Sequence, residues 1–357
     1  MSKGLQLESL SSWTNVQRPF IISGPCSAET EEQMVSTARQ IAATGKVHAL
    51  RAGIWKPRTR PGQYEGAGNE GLKWLIRAKQ ETGLPVTTEV ANAAHVEACL
   101  KAGVDFLWVG ARTTVNPFSV QEVADALRGV NIPVLVKNPI NPDLELWIGA
   151  LERLNRAGIT KLAAIHRGFS SFEKGPFRNA PMWDLAIELK TRVPELDIVC
   201  DPSHISGNRE LIGLISQKAL DLDMAGLMIE SHLNPDAAWS DAKQQVTPAN
   251  LAKIIEGLVV RSVSSESKTF KDTLSILREQ IDQLDDEIMQ RIAARMKISE
   301  KIGQYKKDNN VTILQVNRWE EILQSRVSLA KAMGLDEEFL RDLLKLVHQE
   351  SIQIQTR

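Results

Sequence analysis

Eight short runs of apolar and β-branched residues recur along the first two thirds of the chain. The apolarity within each run is continuous rather than alternating, which predicts strands covered on both faces, as in a parallel sheet. Each run leads through polar, glycine or proline residues into an amphipathic segment of helical period. The runs cover residues 19–25, 47–53, 85–90, 105–112, 133–139, 161–168, 196–202 and 225–232. Eight β-then-α units predict an α/β protein whose residues 1–260 form a (β/α)8 TIM barrel.

The pattern changes after Val260. Residues 261–269 are rich in serine and lack apolar periodicity, which is typical of a linker. Beyond them lie three helical patterns without proline, at about 268–307, 315–333 and 336–355. Residues 270–357 are therefore predicted to form a separate, small all-α domain.

Composition narrows the class of protein. The chain has 357 residues, and its formal net charge of -1 provides no field to attract nucleic acid or an anionic membrane. Three cysteines do not make a disulfide framework. The N-terminus, MSKGLQLESLSSW, lacks the apolar core of a signal peptide. These features predict a cytoplasmic globular protein that binds neither nucleic acid nor membrane.

Ionisable residues follow every one of the eight runs. They are Cys26; Arg51, Lys56 and Arg58; Glu89; Arg112; Lys137; His166 and Arg167; Asp201 and His204; Glu230 and His232. One charged loop residue alone is more often solvated than functional. In a TIM barrel, however, the C-terminal ends of all strands meet on one face. The complete set therefore predicts a single active site on that face.

One subset has the chemistry of metal ligands. Its members are Cys26, His204, Glu230 and Asp241, the last in the loop after the eighth run. Sulfur, nitrogen and two carboxylate oxygens suit a borderline divalent metal such as Mn, Fe, Co or Zn. Cys99 lies in an apolar helical segment and Cys200 lies within the seventh run, so both are predicted to be core thiols.

A second subset is cationic. Its members are Arg51, Lys56, Arg58, Arg112, Lys137 and Arg167. Burying six cations around one pocket is costly unless an anionic ligand neutralises them. Two phosphates and a carboxylate would do so, and arginine is well shaped for bidentate contact with them.

The stretch KPRTRPGQYEGAGNEG, at 56–71, contains GxGxxG at 66–71. In a dinucleotide-binding fold this motif directly follows the first strand, and an acid comes ~20 residues later. Here it follows the second run and a polar loop, and the nearest acid, Glu89, belongs to the predicted pocket. We interpret the glycines as shaping a mobile loop before the next helix, not as a dinucleotide site.

The strand-end motifs SGPCSAE, KPRT, TEV, VGAR, VKNP, HRG and DPSH, with the two acids Glu230 and Asp241, resemble a known family. It is 3-deoxy-D-arabino-heptulosonate-7-phosphate (DAHP) synthase, in its compact variant, over about residues 15–260. The resemblance implies a (β/α)8 barrel that condenses phosphoenolpyruvate with erythrose 4-phosphate and releases phosphate.

The resemblance also implies roles for individual residues. A divalent metal is expected at Cys26, His204, Glu230 and Asp241. Phosphoenolpyruvate is expected at Arg51, Lys56, Arg112, Lys137 and Arg167. The phosphate of erythrose 4-phosphate is expected at Arg58 and Thr59. The candidates for proton transfer or orientation are Lys56, Glu89, His166 and Asp201. The family usually has KPRTSP, whereas Arg60 stands here in place of the serine.

The first helical pattern of the C-terminal region has a heptad stripe that is interrupted by Arg291 and Arg295. Its apolar members are Leu274, Leu277, Ile281, Leu284, Ile288, Ile298, Ile302 and Tyr305. Arg295 on this stripe either extends to the surface or faces an anion inside a bundle. Lys306 shares its face, whereas Arg278 is seventeen residues earlier, ~25 Å along a helix. Arg278 would therefore reach the same small ligand only from another chain.

The stretch LSILREQIDQLDDEIMQRIAARMKISEKIGQYKK resembles the all-helical chorismate mutase family, which forms intertwined dimers, and the match covers about 270–357. The resemblance implies rearrangement of chorismate to prephenate, with Lys306 and Gln355 at the ether oxygen. Its binding positions correspond to Arg278, Arg295, Lys306, Arg318, Ser351 and Gln355. Gln315 and Trp319 stand where the family usually has acids, so reduced mutase activity is expected.

Two alternatives remain open from the sequence. A sibling family makes 3-deoxy-octulosonate 8-phosphate, but it carries KANR where this chain has KPRT. The helical domain could also act only as a sensor that binds prephenate or chorismate and inhibits the barrel. The expected assembly is a homodimer through the helical domain, or a tetramer.

Overall fold

A computed structural model describes residues 4–56, 62–172, 175–262, 264–314 and 316–356, without the side chains of 316–318. The chain divides into two compact units, Met1–Val263 and Ser264–Arg357. The first unit is a closed eight-stranded barrel, and the second is helical. The predicted fold class is confirmed. The long helix of the second unit begins at Lys268, inside the stretch 261–269 that the sequence indicates as a linker.

The barrel is built from eight parallel strands in the order of the chain. They are β1 Phe20–Gly24, β2 Ala49–Arg51, β3 Val86–Val90, β4 Phe106–Val109, β5 Val134–Lys137, β6 Leu162–His166, β7 Asp197–Cys200 and β8 Gly226–Glu230. The last strand pairs with the first from Phe20↔Gly226 to Gly24↔Glu230, which closes the ring. Each strand lies within one of the predicted runs. The continuous apolarity follows because helices cover the outer face while side chains fill the interior.

Alternate strand residues enter two separate apolar clusters. Inward-facing residues such as Ile22, Trp108 and Ile165 fill the barrel interior, and Trp13 packs against this cluster. Their neighbours, such as Ile21 and Ala164, pack against the surrounding helices instead. This alternation follows from the strand period of two. It also decides which residue at each strand end faces the interior.

The helices of the barrel unit connect and cover the strands. In its described residues they are α1 Leu10–Thr14, α2 Glu31–Ala43, α3 Asn69–Thr82, α4 Ala93–Ala102, α5 Ala111–Thr114, α6 Pro117–Ala126, α7 Leu144–Arg156, α8 Trp183–Arg192, α9 Pro202–Ser206, α10 Ile212–Asp221 and α11 Pro248–Glu256. The 3-10 turns in the same described residues are Arg209–Leu211, Pro235–Ala237 and Ala242–Gln244. Side-chain caps begin several helices: Thr30 accepts the Gln33 N–H at α2, for example.

The second unit contains α12 Lys268–Asp308, α13 Val316–Ala332 and α14 Glu337–Thr356. Close packing joins α12 to α14, since a Cβ added at Gly303 would lie 2.7 Å from the Cα of Gln355. The N-terminal half of α12 instead exposes its apolar stripe, with Leu277, Ile281, Leu284 and Ile288 each about half exposed. Among the described residues, no helix combines the length and apolarity needed to cross a bilayer.

Candidate functional site

A cavity of about 440 Å³ lies at the C-terminal ends of the strands. The described residues that line it are Cys26, Arg51, Gly53, Trp55, Lys56, Gln63, Glu89, Arg112, Lys137, Arg167, Arg178, His204 and Asp241. Strand alternation explains much of this set. Ala49, Leu135 and Met228 belong to the interior cluster, so Arg51, Lys137 and Glu230, two positions later, also face inward.

Cys26, His204 and Glu230 form a compact group. One donor atom from each lies within 4.8 Å of the others. Closure of the barrel brings the loop after β1 beside the end of β8, and α9 adds the histidine. Asp201 caps α9 by accepting the His204 N–H at 3.1 Å, and its other oxygen lies 2.8 Å from Nδ1 of His204. Nε2 of His204 is then 3.8 Å from Oε1 of Glu230.

The donor chemistry of this group fits a divalent metal. Oε1 of Glu230 is buried and makes no hydrogen bond with any described residue, although Arg51 lies 3.3 Å away. Burial, with Glu230 and Asp241, raises the pKa of the Cys26 thiol far above its usual range. Burial also lowers the pKa of His204, which favours the neutral imidazole that ligates metals. A cation between these donors would satisfy the orphaned oxygen and favour the thiolate.

Asp241 lies beside this group rather than within it. Its Oδ2 accepts the hydrogen of Cys26 Sγ at 3.2 Å, and its Oδ1 lies 3.0 Å from Arg178. Burial alone would raise the pKa of the Asp241 carboxyl, but Lys56 and Arg178 outweigh it and hold that pKa below its usual value. Lys56 itself donates to Cys26 Sγ at 2.6 Å. The four predicted metal ligands are therefore neighbours.

Five of the six predicted cations line the same cavity, and the sixth, Arg58, lies outside the described residues. Lys137 is buried and donates to Oδ2 of Asp201 at 3.0 Å. Arg51 lies over the Trp108 ring, 4.9 Å from its centroid. Burial lowers the pKa of Arg167 to about 10, and Arg178 and Arg112 add to the effect. Such crowding of positive charge is relieved when an anion binds.

His166 was expected to act either in proton transfer or in orienting its neighbours, and it lies outside the cavity. As the last residue of β6 it faces outward, because Ile165 before it faces the interior. Trp147, Phe169 and Trp183 surround its ring, and the side chain is fully buried. Burial lowers its pKa to about 3. His166 does not line the described cavity, so this position favours orientation over direct proton transfer, the two roles expected for it.

The other two acidic candidates differ in access. Glu89 lines the cavity, and its Oε2 accepts the Trp108 Nε1–H at 2.9 Å. Asp201 is fully buried between Lys137 and His204. Asp201 therefore orients two neighbouring side chains, whereas Glu89 can reach the contents of the cavity.

The second predicted phosphate site, Arg58 and Thr59, lies outside the described residues, as does Arg60. The two ends of this loop are described and lie together, since the Lys56 N–H donates to the Glu65 carbonyl at 2.8 Å. Trp55 stacks on His95 with centroids 4.1 Å apart. These contacts fix the base of the loop beside the cavity.

Arg178 is a cavity residue that the sequence reading missed. It lies in the segment between β6 and α8 and contacts both Asp241 and Gln244. The available signal was a cation between Gly175 and Asn179 in a loop on the C-terminal face. Its distance along the chain from the HRG motif hid it.

The helical unit brings some of its predicted residues together. Arg295 of α12 donates to Oγ of Ser351 on α14. Lys306 donates to the Ile313 carbonyl at 2.6 Å and lines a cavity of about 550 Å³ with Ile298, Lys301, Ile302, Tyr305, Asn309 and Val311. Oε1 of Gln355 is buried and has no hydrogen-bond partner among the described residues. This arrangement offers a cation and an amide at the contact between α12 and α14.

Four further positions of the mutase resemblance are Arg278, Gln315, Arg318 and Trp319. Arg278 is exposed on the N-terminal half of α12. Gln315 and the side chain of Arg318 lie outside the described residues. Trp319 stacks on His348 with centroids 4.1 Å apart and planes 12° apart. An aromatic pair thus occupies the place where an acid was expected.

Comparison with known families agrees with this geometry. Residues 14–262 match the model described as the DAHP synthetase I family. The chain belongs to that family. Residues 277–356 match the model described as chorismate mutase type II. The two families expected from the sequence, joined in one enzyme chain, are confirmed.

Individual relatives cover the barrel. Phospho-2-dehydro-3-deoxyheptonate aldolase of Thermotoga maritima is 32% identical over 226 residues, which are 63% of this chain and 64% of that protein. A 2-dehydro-3-deoxyphosphooctonate aldolase of Polaromonas naphthalenivorans is 29% identical, over 67% of this chain and 89% of the relative. The crystal structure of the Thermotoga DAHP synthase has a TM-score of 0.60 at 29% identity and covers 67% of each chain.

Proposed function

We propose that the barrel condenses phosphoenolpyruvate with erythrose 4-phosphate to give DAHP and phosphate, and that the helical domain converts chorismate to prephenate. One observation carries the barrel assignment. The candidate metal group of Cys26, His204 and Glu230 borders the same cavity as five predicted cations, Arg51, Lys56, Arg112, Lys137 and Arg167. A polarising centre beside a site for two anions suits the joining of two phosphorylated compounds.

The metal would be held by Cys26, His204, Glu230 and Asp241. A thiol, an imidazole and two carboxylates suit Mn, Fe, Co or Zn. When bound, the metal would supply Lewis-acid polarisation of the aldehyde. Asp201 contributes by holding His204 through its Nδ1, so that Nε2 faces Glu230.

The remaining residues bind and orient the substrates. Arg112, Lys137 and Arg167, with Arg51 and Lys56, would hold phosphoenolpyruvate, and Arg58 with Thr59 would hold the phosphate of the aldose. Fixing two mutually repelling anions near each other contributes a large proximity effect. The double bond of phosphoenolpyruvate supplies the electron pair for a new C–C bond to the aldehyde carbon, and the aldehyde oxygen takes up a proton. Water then adds to the carbon that carries the phosphate and loses a proton, and phosphate leaves with cleavage of that C–O bond. Glu89 and Lys56 border the cavity and are the candidates for moving the protons.

The test is an activity assay of metal-stripped protein with phosphoenolpyruvate and either erythrose 4-phosphate or a five-carbon aldose phosphate. We expect DAHP formation only after Mn²⁺ is restored, and no restoration in Cys26→Ser. Cys99→Ser is the matched control, since Cys99 is also a buried free thiol but lies in α4. Activity in Cys26→Ser equal to that of the control would reject the metal assignment.

The sibling reaction is the second candidate, because several relatives are 2-dehydro-3-deoxyphosphooctonate aldolases. An eight-carbon product requires a five-carbon aldose phosphate in place of the four-carbon one. The KPRT motif at 56–59 favours the shorter aldose by the resemblance noted above. Faster turnover with the five-carbon aldose would reverse this assignment.

For the helical domain, we propose a homodimer in which Arg278 of one chain completes the site of the other. The exposed apolar stripe of Leu277, Ile281, Leu284 and Ile288 supports this assembly, since burying it stabilises the association. A tetramer is the alternative. Chorismate consumption and prephenate formation, followed in the full chain, test the activity.

We also propose that prephenate or chorismate bound at the helical domain inhibits the barrel. The fusion of two enzymes of aromatic biosynthesis supports this link. Deleting residues 262–357 is expected to leave synthase activity insensitive to prephenate, and undiminished inhibition would reject the idea. If the helical domain is only a sensor, prephenate will inhibit although chorismate is not consumed. The three buried free cysteines suit a reducing compartment, so the proposed location is the cytoplasm.

A further inference from the structure

The loop from 231 to 246, between β8 and α11, carries Asp241 to the candidate metal group. Its regular structure consists of two one-turn 3-10 helices, Pro235–Ala237 and Ala242–Gln244. Asp241 has φ 51, a left-handed conformation that is uncommon for residues other than glycine. The position of its carboxylate therefore depends on contacts between this loop and other parts of the barrel.

Glu29 makes the central contact. It lies three residues after Cys26, and its side chain is 4% exposed. Oε1 of Glu29 accepts the backbone N–H of Trp239 at 2.7 Å. Oε2 faces Nε2 of His232 at 3.6 Å, while Nδ1 of that histidine accepts the Asn234 N–H at 2.9 Å. One buried carboxylate thus bonds the segment after β1 to the Trp239 part of the loop and lies beside His232 at the start of that loop.

Neutral hydrogen bonds join the same two segments nearby. The hydroxyls of Ser27 and Ser240 lie 2.5 Å apart. The Cys26 N–H donates to Gln245 at 3.0 Å, and the amide of Gln245 donates to the Ser240 carbonyl at 2.9 Å. Residues 239 and 240, which directly precede Asp241, are therefore fixed through the residues that flank Cys26.

We propose that Glu29 is a positioning residue for the metal, because its hydrogen bond to Trp239 holds the backbone that presents Asp241 beside Cys26. Glu29 does not line the described cavity. It acts two residues away from Asp241, through the main chain. The inference rests on the proposed metal centre and adds the residue that assembles it. Partners of this kind, behind the ligands, typically change metal affinity by about 10- to 100-fold.

The first test measures the dissociation constant of Mn²⁺ by competition with a chromophoric chelator, on metal-stripped full-length protein. Glu29→Ala is expected to weaken binding by about tenfold or more. Glu29→Gln is expected to stay within about threefold of wild type, because its amide oxygen still accepts the Trp239 N–H. Wild-type affinity in Glu29→Ala would overturn the proposal, as would an equal loss in Glu29→Gln. Failure of the wild type to bind Mn²⁺ would instead overturn the metal centre itself.

A double-mutant cycle tests whether the effect passes through Asp241. In an Asp241→Ala background, Glu29→Ala is expected to cause no further loss of Mn²⁺ affinity, since the presented ligand is absent. Additive losses would contradict the proposed route. The same variants separate binding from chemistry, because the Mn²⁺ affinity is read without substrate or turnover.

Hydrogen exchange gives a readout that is independent of metal. The segment 233–243 should exchange faster in Glu29→Ala than in wild type, and at the wild-type rate in Glu29→Gln. Asp197→Ala is the matched control, since Asp197 also accepts a backbone N–H, that of Leu10, at 2.6 Å at the start of β7. That control should change neither the exchange of 233–243 nor the Mn²⁺ affinity. Unaltered exchange in Glu29→Ala would overturn the proposed hydrogen bond.

Discussion

Lys137 and Asp201 form a buried ion pair at the C-terminal ends of the barrel strands. Their side chains are 5% and 0% exposed, and the amine and carboxylate lie 3.0 Å apart. Burying either ion alone is strongly unfavourable, and the pair offsets this cost. The lysine also borders the cavity, so it has both a partner within the protein and access to an incoming anion.

The first prediction separates these two functions of Lys137. Lys137→Met should lower the free energy of unfolding by about 3 kcal/mol, because Asp201 is left buried without this partner. Lys137→Met combined with Asp201→Asn should recover much of that stability, whereas phosphoenolpyruvate binding should remain lost in both. Urea unfolding and a binding titration measure the two effects. Equal stability of the single and double variants would contradict the argument.

The second prediction concerns the neutral histidine His166, whose pKa burial lowers to about 3. The unfolded chain takes up this proton near pH 6.5, while the folded chain does not. Stability should therefore fall by about 1.4 kcal/mol for each pH unit between pH 6 and pH 4 because of this residue. His166→Phe should remove that part of the slope, and Trp183→Phe, which changes a neighbouring ring, should keep it. If the free energy of unfolding of His166→Phe depended on pH as that of wild type does, the assignment would be refuted.

The third prediction concerns Trp319, which stacks on His348 where the mutase family usually has glutamate. Trp319→Glu supplies an acceptor for the hydroxyl of chorismate, worth about 1 kcal/mol. The mutase kcat should then rise about fivefold. Trp319→Phe retains an aromatic ring beside His348 and should leave kcat unchanged. If the kcat of Trp319→Glu were no higher than that of wild type, the absence of an acid at position 319 would not be what limits mutase activity.

At the scale of an element, the glycines of GAGNEG shape the base of the loop between Lys56 and Glu65. Gly66 has φ +99, and a Cβ there would lie 2.1 Å from the Ile54 carbonyl oxygen. The Gly68 N–H donates to the same carbonyl at 3.1 Å. The motif therefore lets two stretches of backbone meet beside Lys56, a close approach that only glycine permits at position 66.

The fourth prediction tests this close approach. Gly66→Ala should raise the KM for the aldose phosphate and destabilise the protein by about 1–3 kcal/mol, because the added methyl group forces the base of the loop apart. Gly62→Ala is the matched control, since Gly62 also has a positive φ of +82 but nothing lies within 4 Å of its added Cβ. Steady-state kinetics and thermal unfolding compare the two. A larger KM change in Gly62→Ala would contradict this account of the motif.

Strands and their order were predictable from sequence, whereas several side-chain contacts were not. The continuous apolar runs reveal strands such as β6 because both faces are covered. A continuous apolar run does not show which alternate residues of a strand face the barrel interior. His166 and Arg167 were therefore both predicted to lie at the site, although only Arg167 lines the cavity. Arg178 was missed because its contact with Asp241 joins loops 63 residues apart. Glu29 was missed because its partner is a backbone N–H, which leaves no pattern in the sequence.

At the scale of the whole molecule, the two units differ in how they bury apolar surface. The barrel encloses its own core, whereas α12 leaves Ile281 and Leu284 more than half exposed. The heptad periodicity of the sequence predicted this apolar stripe. Because the helix is long for a domain of this size, the sequence also indicated that another chain covers part of it. The contacts of the proposed second copy could not be predicted from one sequence, since they depend on the surface of another folded molecule.

The fifth prediction tests the partner directly in the full chain. Ile281→Glu with Leu284→Glu should weaken self-association through α12 and abolish mutase activity, because Arg278 can no longer reach another chain's site. DAHP formation should persist, since the barrel does not use these residues. Gln283→Glu, an exposed change on the same helix, is the control. Sedimentation velocity and both assays give the readout, and unchanged association would reject α12 as the interface.

The pairing of β1 with β8 has a consequence for biosynthesis. Cys26 leaves the ribosome early, whereas Glu230 is made more than 200 residues later, at the end of the strand that completes the ring. A nascent chain without β8 cannot capture the ion at the proposed centre, whatever its concentration in the cell. Metal loading would then report that synthesis of the barrel is finished, and truncated translation products would remain unloaded.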